Sequence, residues 1–316
     1  MHLTDRQIRH FEEEGYVVVE GVLTDADLDS VIEEYCEQTD RRARQLCAEG
    51  KLSQLYEDEG FERRLASITA ETSEIYRDVD IMHFRGEATF HFLRNDNLID
   101  PIESIVGPEI TCSPIQHTRA KLPNNLKYEG SEEDGQEKFK QFLSENVAPW
   151  HQDVQVHLEE ADPTAILTVW LPLCDATLDN GCLHLIPRIH KRDLVYWSEG
   201  FGISEENLPD EEGVVPLPMK KGDVLLMHKL IPHCSTSNNT EGIRWSMDLR
   251  YQEIGAPTGR SFWPDFPVRS RSNPASVLTD YEAWRQNWIE ALEKIPFNKR
   301  PGRQERPDIP SCLICA

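Results

Sequence analysis

The stretch Trp150-His151-Gln152-Asp153 sets an imidazole and a carboxylate two residues apart. On a strand, residues i and i+2 point to one side, so His151 and Asp153 aim together while Gln152 points elsewhere. Taken alone, the tripeptide fits a surface histidine and a capping aspartate as well as it fits a metal site. A third residue shifts the balance. His233 lies in Ile231-Pro232-His233-Cys234-Ser235, after the apolar run 224–227. Two imidazoles and a carboxylate can take one face of a ferrous ion and leave the other open for a co-substrate and dioxygen. His151, Asp153 and His233 are therefore the expected metal ligands and catalytic centre.

Outward from this stretch the sequence has the texture of short strands. Residues 109–121 read as one strand. Residues 165–171 alternate, with Ile166, Thr168 and Trp170 on one side and Leu167, Val169 and Leu171 on the other. Asn180-Gly181 marks a turn before a strand at 182–186. Gly222-Asp223 precedes the apolar strand 224–227, and 243–251 is another alternating strand. On that last strand Arg244 follows His233 at a spacing of eleven, with Ser246 on the same face. A guanidinium fork matches a carboxylate bidentately, and a serine hydroxyl beside it can share the same group.

The flanks read as helices. Thr4-Asp5-Arg6-Gln7 resembles a capping box, Gly15 closes the helix, and 16–19 is a β-branched strand. Thr24 or Asp25 caps a second helix whose Leu28, Val31, Ile32 and Tyr35 recur at helical spacing. Residues 40–105 look mostly helical and charged. The Gly- and Glu-rich segment 128–138 is expected to be a flexible loop. It and residues 85–95 are the candidate lid. After residue 257 the chain is rich in Pro and Arg, with one helix near 281–294. There is no internal repeat. The expectation is one domain over 1–316, mainly β with flanking helices. It divides into a helical part (1–108), a jelly-roll or barrel core (109–252) and a C-terminal extension (253–316).

Composition narrows the function classes. The 316 residues include 56 acidic and 33 basic side chains, a net charge of −23. Such a surface repels nucleic acid and anionic membranes, and it disfavours large polyanionic substrates unless a local basic patch exists. The basic stretch 299–306 reads as a solvated tail. No run approaches the roughly 18 apolar residues of a membrane span, and the polar N-terminus does not look like a signal peptide. The eight cysteines then read as free thiols of a reducing cytoplasm. Cys312-x-x-Cys315 is a lone pair where zinc usually needs two.

The ordered set resembles the phytanoyl-CoA dioxygenase family over about residues 3–252. It comprises Trp150-His151-Gln152-Asp153, Asn180-Gly181-Cys182-Leu183, the run Gly222-Asp223-Val224-Leu225-Leu226-Met227-His228, and His233 with Arg244. The resemblance implies a double-stranded β-helix (jelly-roll, cupin-like) that uses Fe(II), 2-oxoglutarate and O2. His151, Asp153 and His233 match the iron ligands. Arg244, with Ser246, matches the anchor of the distal 2-oxoglutarate carboxylate. Trp170 matches an aromatic wall of that pocket, Gln152 lies beside the ligands, and Gln116 and Lys121 fall where co-substrate or substrate contacts occur. Asp153 implies hydroxylation, desaturation or ring closure, because related halogenases carry a small residue there.

One turn departs from the family pattern. Pro-Gly-Ser-His is replaced by Pro187-Arg188-Ile189-His190. Loss of the glycine suggests a different turn shape, with Arg188 and Ile189 facing a different substrate. His83, His91, His117, His157, His184, His190 and His228 read as packed or surface side chains, with an approach of His157 to the substrate as the lesser alternative. The leading expectation is a 2-oxoglutarate-dependent hydroxylase of a small metabolite, releasing succinate and CO2. The alternatives are a zinc- or other metal-dependent hydrolase, although no H-E-x-x-H is present, and a non-catalytic metal-binding barrel. The oligomeric state is left open.

Overall fold

Among the described residues ten strands build two antiparallel sheets: β1 (Tyr16–Val19), β2 (Glu109–Cys112), β3 (His117–Lys121), β4 (Leu167–Pro172), β5 (Leu183–Leu185), β6 (Val215–Leu217), β7 (Val224–His228), β8 (His233–Ser235), β9 (Arg244–Glu253) and β10 (Phe266–Ser270). The computed structural model of the chain describes residues 1–130, 135–196, 202–209 and 213–303. The larger sheet runs β1-β7-β4-β9-β2-β10, with β3 also paired to β9; the smaller runs β6-β5-β8. Around them stand α1 (Asp5–Glu14), α2 (Asp25–Ala48), α3 (Arg64–Glu71), α4 (Glu87–Phe92), α5 (Asp96–Val106), α6 (Gly135–Glu145) and α7 (Tyr281–Lys294). Helical residues outnumber strand residues, so the fold is mixed rather than mainly β. Two strands of the large sheet, β1 and β10, come from outside residues 109–252.

Strand alternation explains the layers. On β9, Trp245, Met247, Leu249 and Tyr251 enter the large apolar core under the helices. On β4 and β7, Leu167, Val169, Leu171, Val224 and Leu226 join that core, while Trp170, Leu225 and Met227 turn the other way, toward the small sheet. Burying each large apolar side chain contributes about 1.5–3 kcal/mol, so the helix-facing side anchors the large sheet. Tyr35 of α2 ties helix to sheet, its hydroxyl 2.6 Å from that of Thr118 on β3.

Local signals behave as the chemistry dictates. Thr4 and Gln7 form a reciprocal capping box, and Gly15 ends α1 at φ +81°. Thr24, with Asp27 at N3, opens α2. Helix α7 spans 281–294 as the sequence suggests. Residues 109–121 are two strands rather than one. Pro114 has no amide hydrogen to give a ladder, and the gap is filled by Gln116, whose side-chain amide donates to Arg250 O (3.0 Å) and accepts from Arg250 N (3.2 Å). The expected loop 128–138 is interrupted by α6, which begins at Gly135; residues 131–134 lie outside the described residues, as do Cys312 and Cys315.

Candidate metal centre and its cavity

His151 and His233 face one another across a two-residue antiparallel bridge. Each backbone N–H donates to the other's carbonyl, at 3.0 and 2.9 Å. His151 is not part of a longer strand. After extended Gln152 the chain turns into a 3-10 helix that starts at Asp153, so strand alternation is not what aims the carboxylate. The three side chains nonetheless converge. Asp153 Oδ1 lies 3.9 Å from His151 Nε2 and 4.0 Å from His233 Nε2, and one ligand atom from each residue falls within 4.8 Å of the others.

The same device fixes both tautomers. His151 Nδ1 donates to Pro149 O, two residues back (2.7 Å), and His233 Nδ1 to Ile231 O, also two residues back (3.0 Å). A neutral ring with hydrogen on Nδ1 presents a bare Nε2 lone pair. Burial, and then His233 alongside, push the His151 imidazole down to about 4, so it is a neutral donor at physiological pH. Asp153 is buried, which opposes its charge, yet Arg250 and the imidazoles outweigh burial and hold its carboxyl well below the usual range. Arg250 Nη2 donates to Asp153 Oδ1 at 2.7 Å, and Thr168 donates to Oδ2. Two nitrogen donors and one anionic oxygen, oriented by their outer hydrogen bonds, suit a divalent metal of the iron or zinc type.

Beside the triad lies a cavity of about 520 Å³. The cavity face of β9 carries Arg244, Ser246, Asp248 and Arg250; that of β3 carries His117, Arg119 and Lys121. Register makes rungs of them: Lys121 opposite Arg244, Arg119 opposite Ser246, His117 opposite Asp248. Arg244 is buried, donates to Ser246 Oγ and lies 5.2 Å from the centre of the Trp170 ring. Its Nε has no hydrogen-bond partner among the described residues. Lys121 is buried too, its ammonium 3.4 Å from Asn146 O. Burial, with Arg244 beside it, pushes that ammonium down to about 7. Burial pushes Arg244 down to about 10. Among the described residues neither cation has a carboxylate partner, so the pair is a buried concentration of positive charge.

Several expected site residues stand elsewhere. Gln116 does not line the cavity; its amide is spent on the backbone of β9 and Ser113. Gln152 is buried behind the triad, donating to Leu194 O and Leu230 O and accepting from Tyr196 N. Arg188 stands in the left-handed region at φ +63°, and its guanidinium reaches Glu14 at 3.4 Å. Ile189 is fully buried, and neither residue lines the cavity. His157 is bonded through Nδ1 to Thr258 O, outside the cavity lining. Residues 85–95 pack away from the cavity, with Arg85 over the Trp288 ring at 5.1 Å. Arg250, Thr168 and Arg119 escaped sequence reading. Continuing the alternation of β9 from Arg244 by three steps of two residues places Arg250 on the same face.

The model of the phytanoyl-CoA dioxygenase family matches residues 11–246. The chain belongs to that family. It is similar to the phytanoyl-CoA dioxygenase domain-containing protein 1 of Danio rerio, 23% identical over 322 residues, covering 93% of this chain and 97% of the relative. In fold it is similar to the apo form of the non-heme monooxygenase ThoJ, with TM-score 0.59 and 17% identity over 90% of this chain and 94% of that one. It is also similar to the epimerase SnoN in complex with Fe3+, alpha ketoglutarate and nogalamycin RO, with TM-score 0.51 and 18% identity over 82% and 88%. Among the described residues no helix is long and apolar enough to cross a membrane.

Proposed function

We propose that the chain is an Fe(II)- and 2-oxoglutarate-dependent dioxygenase that hydroxylates an unactivated C–H bond of a small molecule. Its two facing sheets are then the walls of a double-stranded β-helix. The observation that carries the reading is the rung of two buried cations, Lys121 and Arg244, without a carboxylate partner among the described residues. A dicarboxylate keto acid supplies the missing charge. The SnoN complex, which holds Fe3+ and alpha ketoglutarate in a related fold, supports the same choice.

In this reading His151, Asp153 and His233 hold the metal. Arg244, Ser246 and Lys121 hold the far carboxylate of 2-oxoglutarate, with Trp170 as the wall beside it. When bound, the metal supplies the coupled oxidation in which O2, 2-oxoglutarate and R–H become succinate, CO2 and R–OH. The protein's part is positioning and water exclusion. With each Nδ1–H committed to a backbone carbonyl, the Nε2 atoms of both rings are left to face the metal. Thr168 and Arg250 fix the direction of the Asp153 carboxylate, Gln152 braces the turn that carries it, and Gln116 braces β9 behind Arg250. A metal hydrolase gives Lys121 and Arg244 no duty. Asp153 itself favours hydroxylation over halogenation, since the carboxylate fills the position a halide would need.

The test is anaerobic addition of Fe(II) and 2-oxoglutarate. The wild-type protein should develop a weak visible charge-transfer band, and Asp153→Ala should lose it. A normal band in that variant, or none in the wild type, sinks the assignment.

A further inference from the structure

The cavity reverses the charge of the protein around it. Over the whole chain acidic side chains exceed basic ones, 56 to 33. In the cavity lining the order is inverted: Arg77, Arg119, Lys121, Arg244 and Arg250 stand against Glu145, Asp153 and Asp248. The three anions are engaged. Asp153 and Asp248 share Arg250, at 2.7 and 3.3 Å, and Glu145 accepts from Gln141 at 2.9 Å. The cations are not all engaged. Lys121 and Arg244 are taken by the co-substrate under the function proposed above, on which this inference rests. Two arginines remain at the mouth. Arg119 sits one rung above Lys121 and Arg244 on β3, opposite Ser246. Its side chain is half exposed, and its carboxylate partner among the described residues, Asp80 at 3.3 Å, is shared with His117 at 3.0 Å. Arg77 is exposed at the same cavity and has no ion-pair partner among the described residues, in a chain with a large excess of carboxylates.

A divalent metal and a doubly charged keto acid cancel one another, so the positive surplus persists in the loaded site. We propose that Arg119 and Arg77 form a second anion subsite, and that the substrate is a small molecule carrying a carboxylate- or phosphonate-sized anion. That anion is held at the mouth, with the carbon to be oxidised reaching inward toward the triad. The cavity volume is that of a pocket for a small ligand, which typically spans about 300–1,000 Å³. A coenzyme A thioester would leave its nucleotide outside, against a surface whose net charge repels phosphates.

The test uses wild-type protein loaded with Ni(II) and saturated with 2-oxoglutarate under nitrogen, so that no turnover occurs and the inner anion site is filled. Binding of hexanoate, hexylphosphonate, hexanamide, hexylamine and hexanoyl-CoA is measured by calorimetry. Hexanoate and hexylphosphonate should bind about tenfold or more tighter than hexanamide, the worth of about one well-placed charge pair. That preference should shrink as salt shortens the Debye length from about 10 Å at 0.1 M to about 3 Å at 1 M. Arg119→Gln with Arg77→Gln should remove it. Equal binding of hexanamide or hexylamine, or tight binding of hexanoyl-CoA alone, overturns the subsite. If 2-oxoglutarate itself fails to bind in the first titration, the proposed function falls and this inference with it. Normal 2-oxoglutarate binding without an anion preference overturns the inference alone.

Discussion

Thr168 and Arg250 divide the Asp153 carboxylate between them, one oxygen each. A carboxylate pinned at both oxygens does not have to be ordered when a metal arrives. Thr168→Val keeps the shape of the side chain and removes the donor, so metal affinity should fall about 10- to 100-fold, measured by competition with a chromophoric chelator. Unchanged affinity would show that Arg250 alone sets the geometry. Lys121 gives a second expectation. Its ammonium sits at about 7, and a carboxylate placed against it raises that value. Binding 2-oxoglutarate above pH 7 therefore takes up a proton. Affinity should decline as pH rises past 7 and level off below it, where the group is already charged. Calorimetry in two buffers of different ionisation heat reads the proton directly; Lys121→Met should bind weakly and lose the slope. Flat affinity from about pH 6 to about pH 9 would contradict this role. At this scale the two histidines, Asp153 and Arg244 were legible in the sequence by residue type and order, although the strand spacing argued for Asp153 does not hold, since a 3-10 helix starts there. Arg250 was not, because its meaning comes from a partner 97 positions away.

Strand β9 is the element on which the site depends. One face is apolar core, and the other carries Arg244, Ser246, Asp248 and Arg250 into the cavity. Leu249 is fully buried between the last two of these. Leu249→Ala should cost about 2–5 kcal/mol of stability, read by denaturant unfolding, while leaving the charged face in register. A cost near zero would mean that the helix-facing core does not anchor this strand. The turn at Arg188 offers the opposite sign. A non-glycine residue at φ +63° carries a steric cost of about 1–2 kcal/mol. Arg188→Gly should relieve it and raise stability by about 1 kcal/mol, the exposed pair with Glu14 giving little back. A loss of stability would show that the contacts of the Arg188 side chain outweigh the strain. The sequence reading put Arg188 and Ile189 toward the substrate, whereas neither lines the cavity. It also read 109–121 as one strand, since a proline break bridged by the Gln116 amide leaves no mark in the alternation.

At the scale of the molecule, helices cover one face of the large sheet and the small sheet lies on the side of Trp170, Leu225 and Met227, where the charged cavity opens. The short strands, their alternation and the motif order were readable, and they identified the family. The share of helix was underestimated because residues 25–106 were weighed as a flank rather than as the layer that buries the sheet. The sign of the cavity was hidden for a simple reason. A net charge of −23 describes the average surface and says nothing of which side chains point inward. The dioxygenase reading as a whole is tested most directly with 18O2. Protein supplied with Fe(II), unlabelled 2-oxoglutarate and 18O2 should release succinate carrying one labelled oxygen, detected by mass spectrometry and lost in Arg244→Leu. Absence of succinate, or succinate without label, would contradict it.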